Sequence, residues 1–258
     1  MTIKVNLNAD MAEGYGAYDI GNDREILKII GSASIACGFH AGDPLVMRRT
    51  IAEATRLGVS VGAHPGFNDL WGFGRRRIDM RADDLECLIA YQIGALQGMA
   101  AYSGVKVTHL KPHGALNNMA AENSEYALAI GRAIKAVDPS IIYVALAGSE
   151  MEKAARTLGL RVAREGYCDS QYEDDGNLAS RKLSGTVIKD PNVAARQVVQ
   201  MVVDRTITSR NGKTFPCKID SLCVHGDEPT AIALAKAVRQ ALEAAGVSLV
   251  PLTEMVFD

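Results

Sequence analysis

Five histidines are spread along this 258-residue chain, and four of them occupy equivalent places. His40, His64, His113 and His225 each stand at or just past the end of a short stretch with strand-like alternation. Asp10 ends the first such stretch, and Glu13 follows it. Lys111 ends the fourth, two residues before His113. An imidazole titrates closer to working pH than any other unperturbed side chain, so a group of them suits proton transfer or metal ligation. The two carboxylates are candidate general bases or metal ligands. Asn8, on the same phase as Asp10, is a candidate substrate contact. A buried ammonium at Lys111 needs a carboxylate or an anionic ligand beside it, and Asp10 is the candidate partner.

Other polar residues near those ends carry two readings each. Asp43 precedes Pro44, and Asp227 precedes Glu228-Pro229. Both can touch substrate, and both fit a helix N-cap with proline early in the helix. Arg75 and Arg76 stand in a run of three arginines after Gly72-Phe73-Gly74. That run is either a solvated charge cluster or a shaped loop presenting guanidinium groups to a carboxylate or phosphate. His109 lies deeper in its strand and reads as a core histidine.

These groups must be positioned by the elements that precede them. The alternation predicts strands over 3–9, 34–39, 59–63, 105–111, 141–147, 160–164 and 221–224, with a weak one over 247–250. Helices are predicted over 23–30, 44–57, 83–102, 124–137, 150–158, 191–206 and 230–245, and 209–218 reads as a turn-rich insertion. Strands separated by helices imply parallel βαβ units. The phase of the strands chooses between an open sheet and a closed one. Val5, Leu7 and Ala9 share one face of their strand, and Asn6, Asn8 and Asp10 share the other. Val59, Val61 and Ala63 likewise oppose Ser60, Gly62 and His64. A sheet covered by helices on both faces reads apolar on both. One small or polar face fits an α/β fold of closed type, a (β/α) barrel of seven parallel strands, or eight if the last joins. In such a barrel the loops after the strands build the site. No shift in composition marks a linker, so residues 1–258 read as a single barrel domain.

Composition removes several function classes. Lys and Arg total 28 against 30 Asp and Glu, a net charge of −2. A general nucleic-acid binder would carry a basic excess. The five cysteines form no C-x-x-C pair, so a disulfide framework is not expected and a cytoplasmic setting is. The N-terminal segment enters a strand without the apolar run of a secretory signal, and no stretch is long and apolar enough to suggest a membrane span. The phosphate-binding pattern G-x-x-x-x-G-K-[ST], the dinucleotide pattern G-x-G-x-x-G and the G-x-S-x-G nucleophile elbow are all missing from the sequence.

Six strings together carry a resemblance: Asn8-Ala9-Asp10 with Glu13-Gly14, the run 36–44, Gly62-Ala63-His64-Pro65-Gly66, Gly72-Phe73-Gly74-Arg75-Arg76, the run 111–116, and Val224-His225-Gly226-Asp227. In this order, over the full length, they closely resemble the LamB/YcsF family. The resemblance implies a barrel like that of the glycoside hydrolase/deacetylase superfamily. It also implies a reaction: 5-oxo-L-proline, ATP and two waters give L-glutamate, ADP and phosphate, with partner subunits B and C. ATP as a cofactor comes from the resemblance alone. The chain departs from the usual family pattern at Ala9, Asn117 and Ser170. On that reading Asp10 or Glu13 is the general base, His40, His64 and His113 orient groups and shuttle protons, and Lys111 steadies an oxyanion or the substrate carboxylate. Two rival readings stay open. One is a deacetylase-type hydrolase with a divalent metal on Asp10, His40 and His64. The other is a non-catalytic subunit that only holds 5-oxoproline. A homo-oligomer is compatible with all three.

Overall fold

A computed structural model describes residues 2–226 and 230–257. Asp227, a predicted substrate contact, lies outside the described residues. Seven parallel strands close a barrel: β1 (Lys4–Met11), β2 (Ser32–Ala36), β3 (Ser60–His64), β4 (Val107–Leu110), β5 (Ile142–Leu146), β6 (Val162–Tyr167) and β9 (Ser221–Val224). Closure is made by β1, which pairs β2 on one side and β9 on the other. The helices α1 (Asp23–Ile26), α2 (Pro44–Arg56), α3 (Ala82–Tyr102), α4 (Gly114–Glu122), α5 (Ser124–Val137), α6 (Glu150–Leu158), α7 (Pro191–Val199) and α8 (Ala231–Ala244) lie between the strands in sequence.

The residue phases explain the closure. Val5, Leu7, Ala9, Ile35, Val61 and Ala63 join one large apolar cluster with the helices. Burying such side chains contributes roughly 1.5–3 kcal/mol each for the larger ones. The opposite phase fills the interior in layers. Near the N-terminal end, the Asn6 amide donates to Ser32 (2.9 Å), and the Ser221 hydroxyl donates back to Asn6 (2.9 Å). One layer up, Asn8 donates to Glu165 (2.9 Å) and Ser221 (2.8 Å). Gly62 is required there, because a Cβ on it would lie 2.2 Å from the buried His109 ring. Strand β5 departs from the pattern and is apolar on both faces. Its Ile142 and Val144 form an interior cluster with Ala163 and Leu252.

The predicted eighth strand shrinks to β10 (Ser248–Leu249), which pairs only the first residues of β1. Beyond it the chain crosses the N-terminal end of the barrel. Asn6 donates to the Val250 carbonyl (2.9 Å), and the Leu252 amide donates to Ser32 (3.1 Å). The insertion over 209–218 contributes to a hairpin of β7 (Thr206–Thr208) and β8 (Thr214–Pro216). Strand β2 ends at Ala36 rather than Phe39, because the chain turns at Gly38 with φ +94°. No described helix is long and apolar enough to cross a membrane, and all five cysteines are free.

Candidate functional site

The polar groups meet at the C-terminal end of the barrel, in two adjoining clusters. The first is built on Glu13. His64 ends β3, while His40 and His113 stand in the loops after β2 and β4. Glu13 Oε1 lies 3.2 Å from His40 Nε2, 3.2 Å from His113 Nδ1 and 3.9 Å from His64 Nε2. His64 Nε2 and His113 Nδ1 are 3.0 Å apart. The rings of His40 and His113 stack with centroids 3.7 Å apart. Gly74, at φ +63°, makes this stack possible, since a Cβ there would fall 2.7 Å from His40 and 2.8 Å from His113.

Backbone carbonyls set the tautomers. His64 Nδ1 faces the Lys111 carbonyl at 2.8 Å, and His113 Nε2 faces the Phe73 carbonyl at 2.8 Å. A carbonyl only accepts, so those nitrogens carry the hydrogens. The other nitrogens, His64 Nε2 and His113 Nδ1, then turn lone pairs toward each other and toward Glu13. Asp10 Oδ2 adds a fourth acceptor, 3.3 Å from His64 Nε2. Four converging acceptors make a seat for a cation, either a proton taken up during reaction or a metal ion. Burial would raise the Glu13 carboxyl, but hydrogen bonds with His113 and His40 outweigh it and hold it far below the usual range. His40, fully buried and beside His113, is pushed down to about 3 and is neutral.

The second cluster is built on Lys111. Its ammonium is buried and lies 2.8 Å from Asp10 Oδ1, 2.8 Å from Cys223 Sγ and 3.3 Å from Glu165 Oε1. Burial would lower the Lys111 pKa, yet Asp10 and its other neighbours hold it well above the usual range. Burial would raise Asp10, but His64 and Lys111 outweigh it and hold that carboxyl well below. The Cys223 thiol is pushed well up by burial and stays protonated. His225 closes this side, with Nδ1 at 2.8 and 2.9 Å from the two oxygens of Asp169. Asp10, Cys223 and His225 also approach one another closely enough to hold an ion. The Lys111 ammonium already supplies positive charge there, so a metal fits the Glu13 cluster better.

Above both clusters opens a cavity of about 530 Å³, within the roughly 300–1,000 Å³ of small-molecule sites. Asp10, Lys111, His113 and His225 line it, and Arg75, Arg77, Arg181 and Lys182 outnumber Glu122 on its outer wall, which is cationic on balance. A second cavity of about 550 Å³ beside the β7–β8 hairpin is reached by none of the site imidazoles.

The predicted residues therefore sort by position. Asp10, Glu13, His40, His64, Lys111, His113 and His225 converge. Asn8 lies one layer deeper and holds Glu165 and Ser221. Arg75 faces the cavity, whereas Arg76 is tied to the buried Asp69 (Nε to Oδ1, 2.8 Å). Asp43 caps α2, accepting from the amides of Leu45 (2.8 Å) and Val46 (3.1 Å), and also from Gly16 (2.7 Å). Ala9 is buried on the outer, apolar face. Glu165, Tyr167, Asp169 and Cys223 were not foreseen. Strand β6 runs on to Tyr167, so Glu165 and Tyr167 share the inward phase on it, and Asp169 follows two residues beyond its end. Ser221 and Cys223 alternate in the same way on β9, and His225 follows its end.

Comparison with known proteins agrees with this arrangement. The LamB/YcsF family model matches residues 5–257. A protein of Rhodopseudomonas palustris (strain BisB5), described as the A subunit of 5-oxoprolinase, is 50% identical over 250 residues, covering 96% of this chain and 98% of its own. The crystal structure of a lactam utilization protein from Thermus thermophilus superposes with a TM-score of 0.91 at 43% identity, covering 97% of this chain and 100% of that one. The catalytic domain of a peptidoglycan N-acetylglucosamine deacetylase from Eubacterium rectale shares the fold alone, with a TM-score of 0.54 at 12% identity, covering 100% of this chain and 92% of that one.

Proposed function

The chain belongs to the LamB/YcsF family, and from that premise we propose that it is the A subunit of an ATP-dependent 5-oxoprolinase, opening 5-oxo-L-proline to L-glutamate with partner subunits B and C. The observation that carries the reading is a cationic cavity set directly on ionised carboxylates, a buried ammonium and imidazoles. A five-membered lactam is a stable amide and needs activation, which phosphorylation of its carbonyl oxygen by ATP would supply. The cationic wall of Arg75, Arg77, Arg181 and Lys182 suits an anionic substrate, its carboxylate included. ATP enters through the family reaction, since this sequence has none of the phosphate-binding motifs sought.

Asp10 and Glu13 are too acidic to accept a proton efficiently at neutral pH. In this proposal they stay ionised and steady the imidazoles, and the His64–His113 pair takes the proton from the attacking water. Lys111 holds three acceptors, of which the Cys223 sulfur is the weakest. A carbonyl oxygen gathering negative charge would displace that sulfur and receive its hydrogen bond.

A divalent metal is the second reading, favoured by the convergence of lone pairs. Glu13, His64 and His113 would hold it, with His40 beside them. Such an ion would polarise a carbonyl and make bound water more acidic.

The decisive assay measures glutamate released from 5-oxoproline, with and without ATP and the two partner chains. Release that requires all of them supports the proposal. Hydrolysis of N-acetylated sugars by this chain alone, dependent on added metal, would replace it with the deacetylase reading. Substrate affinity and assembly that survive substitution of Asp10, His64 and Lys111, with turnover lost, exclude a purely binding role.

A further inference from the structure

His225 differs from the other site imidazoles in what stands behind it. His64 and His113 spend their outer N–H groups on backbone carbonyls, and His40 is sealed and neutral. His225 alone has a carboxylate at its back, through two Asp169 contacts of 2.8 and 2.9 Å. Asp169 is anchored in turn: its carbonyl accepts from the Ile188 amide (2.7 Å), and Arg181 approaches its carboxylate at 3.8 Å. Burial would raise Asp169, but His225 outweighs it and keeps the group ionised. The ring of His225 lies over Tyr167, with centroids 5.7 Å apart, and its side chain is open to the cavity. Its Nε2 is 3.9 Å from Asp10 Oδ2, beyond hydrogen-bond reach. Among the described residues, the charged and titratable groups facing this ring are thus Asp10 from β1, Cys223 from β9, Tyr167 from β6 and Asp169 just after it. Lys111 and Arg181 stand one contact further away.

Opening a lactam has two proton demands at different places. Water attacking the carbonyl carbon must lose a proton, and the ring nitrogen must gain one, because an amide nitrogen does not leave as an anion. We propose that His225 delivers the proton to the departing nitrogen through Nε2, with Asp169 as the positioning residue that fixes its ring. This assignment rests on the 5-oxoprolinase reading. The step balances as follows: the water oxygen bonds to the carbonyl carbon and its proton passes to the His64–His113 pair. On the O-phosphorylated lactam the C–N bond then breaks as the nitrogen takes the Nε2 proton and the new hydroxyl loses its own to solvent, leaving an acyl phosphate that the second water hydrolyses to glutamate and phosphate. His225 is left neutral and regains a proton from water in the open cavity. The two sides of the cavity thereby divide the work, one accepting and one donating.

The test compares 5-oxoproline with its sulfur analogue, 5-oxotetrahydrothiophene-2-carboxylate, whose thiolate leaves without being protonated. Both are assayed with the assembled three-subunit enzyme. His225→Gln and His225→Asn should each lower kcat on the lactam by roughly 10²–10⁴-fold, the usual worth of general acid catalysis, with KM nearly unchanged. Asn keeps a donor near Asp169 and so separates proton delivery from local packing. On the thiolactone both variants should lose less than about tenfold. Equal losses on the two compounds overturn the assignment and leave the functional reading standing. A wild-type complex inert toward 5-oxoproline overturns the functional reading first, and the assignment with it. The role of Asp169 is read separately, by ¹⁵N NMR of the full chain. Neutral His225 should carry its hydrogen on Nδ1, and Asp169→Asn should shift it toward Nε2. An unchanged tautomer removes Asp169 as the positioning residue.

Discussion

The two walls of the site are made of similar residues and solve opposite problems. Around Glu13 the protein gathers acceptors and supplies no fixed cation of its own. Around Lys111 it gathers acceptors about a permanent one. The first wall can take up positive charge, as a proton or a metal, and can give it back. The second is electrically complete and can only reorient. What each wall can do therefore follows from its charge balance, even though both are built of histidines and carboxylates at strand ends.

The sharpest way to break the contrast is to empty the second wall of its cation. Lys111→Met should leave Asp10 and Glu165 buried without compensation, costing about 3–5 kcal/mol of stability. Turnover should vanish with it. Urea unfolding and the glutamate assay check both, and a stable, active variant would erase the distinction. The first wall is probed with metal. Zn²⁺ or Mn²⁺ added to metal-free protein should raise the thermal midpoint of the wild type and leave that of Glu13→Gln unmoved. Equal shifts in both proteins would mean that any metal binds elsewhere. Two residues outside the walls calibrate these effects. Asp43→Ala should lose about 1 kcal/mol, as expected for a helix cap, with kcat unchanged within about twofold. A large fall in kcat would return Asp43 to the site.

The smallest effect belongs to Asp23, whose half-buried carboxyl accepts from the Ala12 amide (2.8 Å) behind the first wall. Burial raises it to about 6. The folded state therefore holds this proton more tightly than the unfolded chain, and stability from this group declines as pH rises from about 4 through about 6. Asp23→Asn should flatten that part of the stability–pH curve. A curve of unchanged slope there would show that Asp23 does not titrate in this range.

Much of this was legible in the sequence, for reasons that also mark its limit. The inward run Asn6, Asn8, Asp10 and the alternation in β3 pointed to a closed barrel, because a parallel sheet covered by helices on both faces would be apolar on both. The four histidines were legible because each ends a strand or follows one by only a few residues. Glu165 and Asp169 were hidden by ending their strand at Arg164, which broke the phase joining them to Tyr167. The Arg164 side chain points the other way, into a buried ion pair with Asp220 (2.6 Å) that bridges β6 and β9. Helix α4 is not among the helices expected from the sequence, because it begins at Gly114 directly after Pro112-His113 and is only nine residues long. Its buried Ala115, Leu116, Met119 and Ala120 carry the helical spacing. Asp43 and Arg76 show the opposite error, since a carboxylate or guanidinium near the mouth serves local backbone and neighbours as readily as a ligand.

The tail that crosses the lower end of the barrel has a consequence for traffic. With Leu252 seated among Ile142, Val144 and Ala163, the described residues close the lower end of the barrel, and the cavity on Asp10 and Lys111 lies at the other end. Compounds are therefore expected to enter and leave from that upper end. On the proposed reading, a partner that hands over a labile compound would do so at that open end, on the side of Arg75 and Arg181.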